Sequence, residues 1–247
     1  ANSPLLRDYH GEGAKVHGQD GLGETYMPPS SRKPNNEYAA VHLVRSVMES
    51  PGEITIGAIG PLTNLALALR IEPRFASNVK EVVIMGGAVS VPGNASPLAE
   101  ANIHNDPEAA GLVFAAGWDL TVVGLDVTQQ VVIDANWLSE LTENQSATTD
   151  MIAAITPHYL DYHKERIGQD YMPVHDSSAI AYLIDSSLFT TKKLSVSVMK
   201  GDHPCAGQTV ADWKNHWGKE ATINVCLGVD ADRMKKMYLE RVGGNLK

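Results

Sequence analysis

Apolar residues follow two different rhythms along this chain. Short segments rich in Ile, Val, Leu and Met at 54–59, 79–85, 120–125, 194–198 and 221–227 read as strands, and the first three are near-continuous apolar runs. Between them the apolar positions space out to about one in three or four. In 37–50, for example, Ala40, Leu43, Val44 and Val47 share one helical face. The same spacing predicts helices over 62–69, from Pro107 to about residue 116, and over 134–141, 150–167, 177–184 and 230–242. Strands that are apolar throughout, rather than alternating, are strands covered on both faces. Alternation with helices then predicts an α/β fold, an open and mostly parallel Rossmann-like sheet with helices on both faces. No composition shift or linker divides the sequence, so 1–247 reads as a single domain.

Local punctuation agrees with that pattern. Asn35 or Asn36 is placed to cap the 37–50 helix, and Pro51-Gly52 ends it. Asp106-Pro107 combines a cap with a proline at the first helical position. Two stretches, 1–36 and 86–106, are rich in Gly, Pro and polar residues and read as loops. In a parallel sheet the ligand sits at the carboxyl ends of the strands, so both loops are expected to border one crevice.

Composition narrows the chemistry. The 247 residues carry 43% hydrophobic residues, enough for a substantial core, and only 2 cysteines, which excludes a disulfide framework. Cys205 and Cys226 stand singly, without zinc-ligand spacing. A net charge of -9 is the wrong sign for a phosphate-binding surface, so no nucleic-acid partner is expected. No apolar run reaches the ~18 residues of a membrane span. The sequence opens at Ala1 in loop-like residues, without the charged and apolar regions of a signal peptide. There is no G-x-G-x-x-G between a strand and a helix, no G-K-[ST], no H-E-x-x-H and no G-x-S-x-G.

The remaining candidates are polar residues at predicted strand ends. Asn94, Glu100, Asn102 and His104 fall in the loop after the 79–85 strand. A carboxylate flanked by amides suits a polyhydroxylated ligand, since each group exchanges hydrogen bonds with a hydroxyl without changing charge. The plainer alternative is that they bond their own backbone. His175-Asp176 stands where a loop enters a helix. Asp176 there is either an N-cap or a ligand for a hard cation, and His175 beside it is a candidate proton donor. His17 lies in a Gly-rich loop, where a solvated role is the default.

At these residues the chain resembles the inosine–uridine preferring nucleoside hydrolases. The resemblance rests on His17-Gly-Gln-Asp-Gly-Leu-Gly23, Gly60-Pro-Leu-Thr-Asn64, Val82-Val-Ile-Met-Gly-Gly87, and Asn94 with Glu100-Ala-Asn102. It continues through Asp106-Pro-Glu-Ala-Ala110, Val123-Gly-Leu-Asp-Val-Thr128, Pro173-Val-His-Asp176, and Gly207-Gln-Thr-Val210 with Asn224-Val225. The segments occur in the family's order over nearly the whole chain. The resemblance implies hydrolysis of the N-glycosidic bond of ribonucleosides to free base and ribose, with Ca²⁺ as cofactor. The attacking water would be metal-bound, and the sugar would pass through an oxocarbenium-like transition state.

By motif, Asp176 and the Ile59 carbonyl would bind the cation, and Asp176 would also meet a ribose hydroxyl. His175 would face the base as proton donor, with His17 near the base. Met85 would line the sugar pocket, Asn94 and Glu100 would hold the 5′-hydroxyl, and Asn102 a ring hydroxyl. A small-molecule ribonucleoside is the implied partner, with a homo-oligomer (dimer or tetramer) in the cytoplasm. Two departures stand out. Ala101 occupies a position often aromatic in the family, and the family's D-x-D-x-G-x-D-D run does not occur in this sequence. The second departure leads to the expectation that the chain begins downstream of that run. It also raises the alternative of a non-catalytic nucleoside- or ribose-binding protein.

Overall fold

The most continuously apolar segments, at 54–59, 79–85 and 120–125, pair side by side and parallel. A computed structural model describes residues 3–8 and 13–244; Ala1, at which the sequence opens, and residues 9–12 of the 1–36 loop lie outside the described residues. In chain order the elements begin with α1 (Gly13–His17), α2 (Ala39–Glu49), β1 (Thr55–Ala58), α3 (Thr63–Ile71), α4 (Phe75–Asn78) and β2 (Glu81–Met85). They continue with α5 (Ala101–Asn105), α6 (Pro107–Phe114), β3 (Leu120–Val123), α7 (Leu125–Thr128), β4 (Val132–Asp134), α8 (Ala135–Leu141) and α9 (Ala147–Ile167). They end with β5 (Tyr171–Pro173), α10 (Asp176–Ile184), β6 (Phe189–Val198), β7 (Thr209–Asp212), β8 (Ile223–Val229) and α11 (Ala231–Tyr238).

The chain divides into two compact units. The first comprises 1–9, 35–128 and 175–229; the second comprises 10–34, 129–174 and 230–247.

The first unit holds a six-stranded sheet in the order β1-β2-β3-β8-β6-β7. β1, β2, β3 and β8 run parallel, while β6 pairs antiparallel with both β8 and β7. The fold is therefore α/β with a mostly parallel sheet, as the apolar runs implied. β3 is buried along its whole length, and β2 in every position but its first, which is what helices on both faces demand. The core gathers Leu62, Leu65, Phe75, Val82, Ile84, Ile103, Leu120 and Val122. Register sets Ala58 beside Ile84 and Met85 beside Val123, so the chain leaves β1, β2 and β3 at one edge.

Asp106 ties the helical layer together. It is fully buried and caps α6 through Ala109 N–H at 3.0 Å. Its other oxygen accepts from the Thr63 hydroxyl at 2.6 Å and Leu5 N–H at 3.0 Å. Arg7 adds a two-point pair with Glu108, and together these bonds anchor the segment at 3–8 to α6.

In the second unit, β4 and β5 pair antiparallel, and Ile133, Trp137 and Leu141 form a small core with Tyr238 and Val242. α9 starts at a capping box made by Ser146 and Thr149 and ends at Gly168 in the left-handed region.

Several elements differ from their predicted form. Tyr38, not Asn35 or Asn36, is the N-cap of α2 and makes no side-chain cap bond; Asn35 instead receives Glu37 N–H in a turn at 3.2 Å. The 86–106 loop contains α5, and the 1–36 loop contains α1. The strands β4 and β5, of three residues each, are too short to show a period of their own, and β7 mixes polar and apolar residues, Thr-Val-Ala-Asp, without an apolar run. His175, not Asp176, takes the cap position of α10, and Asp176 is its first residue. No helix among the described residues is long and apolar enough to cross a membrane.

Candidate functional site

The site is built at the edge where β1, β2 and β3 end. Ile59 follows β1 directly at this edge and is 43% exposed. α10 packs across β1, β2 and β3. Gly57 permits the approach, since a Cβ there would meet Leu183 Cδ1 at 3.2 Å. That packing fixes the first turn of α10, and with it His175 and Asp176.

After β2 the chain makes a turn that glycine alone allows. Gly87 has φ +86°, and a Cβ there would lie 3.2 Å from Thr209 Cγ2. Glu100 organises this turn from below. Its Oε2 accepts Gly87 N–H and Ile103 N–H, both at 3.1 Å, and its Oε1 accepts Asn102 N–H at 2.9 Å. Two of these bonds make it the N-cap of α5. The carboxyl is almost wholly buried. Burial pushes it up to about 7, against the pull of the three backbone donors, and the nearby Asp176 charge adds to the rise.

Asn102 reaches back from α5 to the end of β2. Its Nδ2 donates to the Met85 carbonyl at 3.0 Å and lies 3.4 Å from the Met85 thioether sulfur. Met85 itself is buried. Asn94 Oδ1 accepts Ala101 N–H at 2.9 Å. Glu100, Asn94 and Asn102 thus share one hydrogen-bonded structure, and all three bind backbone, as the plainer alternative held. Glu100 has three donors for about four lone-pair positions.

His175 lies at the entry to α10, where its Nδ1 pairs with the Thr128 hydroxyl at 2.8 Å. Thr128 is fully buried in α7, so the imidazole is held from the interior side. Asp176 is exposed at the helix start, yet surrounding protein partly desolvates its carboxyl and raises it above the usual range.

His17 belongs to the second unit. Its Nδ1 pairs with the Tyr159 hydroxyl at 2.7 Å, and the two rings meet edge to face. Burial and the neighbouring His158 lower its basicity. Gly23 lies so close to α9 that a Cβ would be 2.8 Å from the Ile155 carbonyl, which sets the His17 loop against that helix.

Ca²⁺ takes ~6–8 oxygen ligands. Among the described residues, no group of three His, Cys, Asp or Glu side chains is placed to hold a metal ion. Asp176 and the Ile59 carbonyl are two donors, so these residues do not by themselves fit a complete calcium site.

Three residues without an assigned role at the level of sequence prove central to this edge: Asp126, Thr128 and Thr209. All three are buried polar residues that bond the site's backbone or side chains. Each lies inside a motif segment quoted above. Only Asp126, between Leu125 and Val127, showed a signal in the sequence, a charged residue between apolar neighbours; its partners were not legible there.

A family model described as inosine-uridine preferring nucleoside hydrolase matches residues 1–236. Uridine nucleosidase 1 of Arabidopsis thaliana is 41% identical over 224 residues, covering 88% of this chain and 66% of that protein. The pyrimidine-specific ribonucleoside hydrolase RihB of Escherichia coli is 34% identical over 232 residues, covering 94% of this chain and 74% of that one. Among solved structures, the plant nucleoside hydrolase PpNRh1 is similar with a TM-score of 0.88 at 39% identity, covering 93% of this chain and 74% of that one. A purine-preferring ribonucleoside hydrolase from Gardnerella vaginalis gives a TM-score of 0.92 at 28% identity, covering 99% and 78%. The chain thus spans about two thirds of the length of the plant uridine nucleosidase it matches.

Proposed function

The chain belongs to the inosine-uridine preferring nucleoside hydrolase family, and from that premise we propose that the protein containing it hydrolyses the N-glycosidic bond of ribonucleosides, releasing free base and ribose. The family is one of enzymes, and its relatives named above are nucleosidases and ribonucleoside hydrolases. The observation that supports the reading is the packing of α10, which begins with His175 and Asp176, across the strands whose ends lead to Asn94, Asn102 and Thr128.

In the proposed reaction a water oxygen bonds to C1′ as the bond from C1′ to the base nitrogen breaks. The water's proton leaves to a base, and the departing ring nitrogen takes up a proton. His175, oriented through Nδ1 by Thr128, is assigned the proton donated to the leaving base, from Nε2. The sugar is assigned to the β2 edge. There Asn102 and Asn94 meet hydroxyls, Glu100 uses its remaining lone pair for the 5′-hydroxyl, and Met85 forms the floor. Asp176 is assigned a ribose hydroxyl and, with the Ile59 carbonyl, a contribution to a Ca²⁺ site whose other oxygens these residues do not supply. Within the second unit, the His17–Tyr159 pair is assigned to contact with a heterocyclic base. Residues 1–247 are treated as one family domain, on the support of a match that runs through segments of both units. The cytoplasmic homo-oligomer, dimer or tetramer, expected from the resemblance is carried as part of the proposal, for sedimentation and fractionation to check.

Uridine is the first substrate to test, because two relatives are named for uridine or pyrimidine nucleosides. Reducing-sugar release from uridine and inosine is measured with and without EDTA. Metal-dependent release is the expected result; no release from either nucleoside overturns the reading. Ribose binding by calorimetry without any release would instead favour the non-catalytic binding protein.

A further inference from the structure

Two buried groups that the proposed chemistry does not use, Asp126 and Thr209, converge on the turn after β2. Asp126 is 6% exposed and sits in α7. Its Oδ2 accepts Val89 N–H at 3.0 Å, and its Oδ1 accepts Ser90 N–H at 2.8 Å and the Ser90 hydroxyl at 2.5 Å. Thr209, on β7, accepts Ala88 N–H and donates to the Ala88 carbonyl. Together with Gly86 N–H to the Val123 carbonyl and Gly87 N–H to Glu100, every amide from Gly86 to Ser90 has an acceptor. The Gly87 carbonyl in turn accepts Leu125 N–H at 2.8 Å, from the same turn of helix that carries Asp126.

The fit between the two turns is close. A Cβ on Gly124 would stand 2.6 Å from the Gly87 carbonyl oxygen and 3.1 Å from Asp126 Oδ2. A buried carboxylate is costly unless it is hydrogen-bonded, and ordinary turns do without one. Here Asp126 accepts three hydrogen bonds from two consecutive residues, which lie four and five positions beyond Met85.

We infer that Asp126 is a positioning residue, fixing the Gly87–Ser90 turn so that the end of β2 presents a rigid sugar subsite. The inference rests on the assignment of the sugar to the β2 edge made above. α7 then serves the edge in two directions, through Asp126 to the turn after β2 and through Thr128 to His175. A group placed this way acts on geometry: displacement of a binding turn by ~1 Å is enough to lose one to two orders of magnitude in a well-positioned site.

The test compares the wild-type protein with D126N and S90A. The amide introduced by D126N would keep one acceptor oxygen but turn an N–H donor towards a backbone N–H. S90A keeps the carboxylate and both amide bonds and removes one hydroxyl. In D126N we expect KM for uridine and the inhibition constant of ribose to rise on the order of ten-fold. kcat should change less, and inhibition by free uracil should not change. S90A should move the same constants in the same direction by about three-fold. Unchanged ribose inhibition in both variants overturns the inference, as does an equal rise in the ribose and uracil constants, which would mark a general loss of structure. If D126N does not fold, S90A alone decides by the same criteria. Wild-type protein that releases no sugar overturns the function proposed above; calorimetry with ribose on wild type and S90A then decides, weaker binding in S90A supporting the inference and equal or absent binding overturning it.

Discussion

The Thr209 hydroxyl clasps a single peptide unit, accepting Ala88 N–H and donating to the Ala88 carbonyl, both at 2.9 Å. Thr209 and Ala88 are 121 positions apart, and both are buried. T209V keeps the shape and removes both bonds, leaving a buried donor and acceptor unpaired. We expect a loss of about 2–4 kcal/mol in urea unfolding, while T209S stays within about 1 kcal/mol of wild type.

Thr128 and His175 form a second such pair. T128V should cost about 1 kcal/mol in urea unfolding, less than T209V, because it strands one half-buried imidazole nitrogen rather than a buried backbone donor and acceptor. It should lower kcat for uridine by about ten-fold, through loss of the imidazole's orientation. T128S should restore most of the rate. Steady-state kinetics on the three proteins check this, and equal kcat in T128V and wild type would show that the pair has no bearing on turnover.

Glu100 gives the fold a pH dependence of unusual sign for a carboxyl. Its folded-state pKa is raised, to about 7, because burial disfavours the charge. The folded state therefore holds a proton that the unfolded chain releases at about 4.3. The stability this contributes is complete below that value and is lost as the pH rises through about 7. E100Q cannot titrate, so denaturant unfolding with EDTA present, from about pH 5 to 8, should show a decline in wild type that is absent from the variant. The variant should be less stable at every pH, since one of its amide hydrogens faces a backbone N–H.

Gly124 tests the contact between the turns after β2 and β3. G124A places a methyl 2.6 Å from the Gly87 carbonyl oxygen. The backbone must shift, at a cost of about 1–3 kcal/mol. A thermal melt reads the effect, and an unchanged midpoint would mean that the two turns separate easily. G117A is a useful contrast: it has open space around the added carbon but a φ of +75°, so it isolates backbone strain from crowding.

In the second unit, Y159F removes the hydroxyl that meets His17 Nδ1. The pair is exposed, so stability should change by less than about 0.5 kcal/mol. The ratio of kcat/KM for uridine to that for inosine should change, because the pair is the one assigned to the base. An unchanged ratio removes His17 and Tyr159 from base selection.

The layered architecture was already legible in the order of residues. Apolar runs such as 120–125 had to be covered on both faces, and helices long enough to show a period of 3.6 announced themselves, as α6 did with Asp106 and Pro107 at its start. That order also placed Glu100, Asn102, His175 and Asp176 at strand or helix ends, where a parallel sheet keeps its chemistry. Tertiary structure decided what those groups touch. α5 and α7 have five and four residues, too few to nucleate alone; they exist because Glu100 caps one and the end of β3 feeds the other. Asp126 and Thr209 were legible as buried polar residues only once β3 and β7 had a place in the fold, since their partners lie 36 to 121 positions away in the chain. A periodicity reports which face of an element meets the core. A hydrogen bond between distant segments leaves no periodic trace, so the locked turn at the end of β2 appeared only when the sheet brought its holders together.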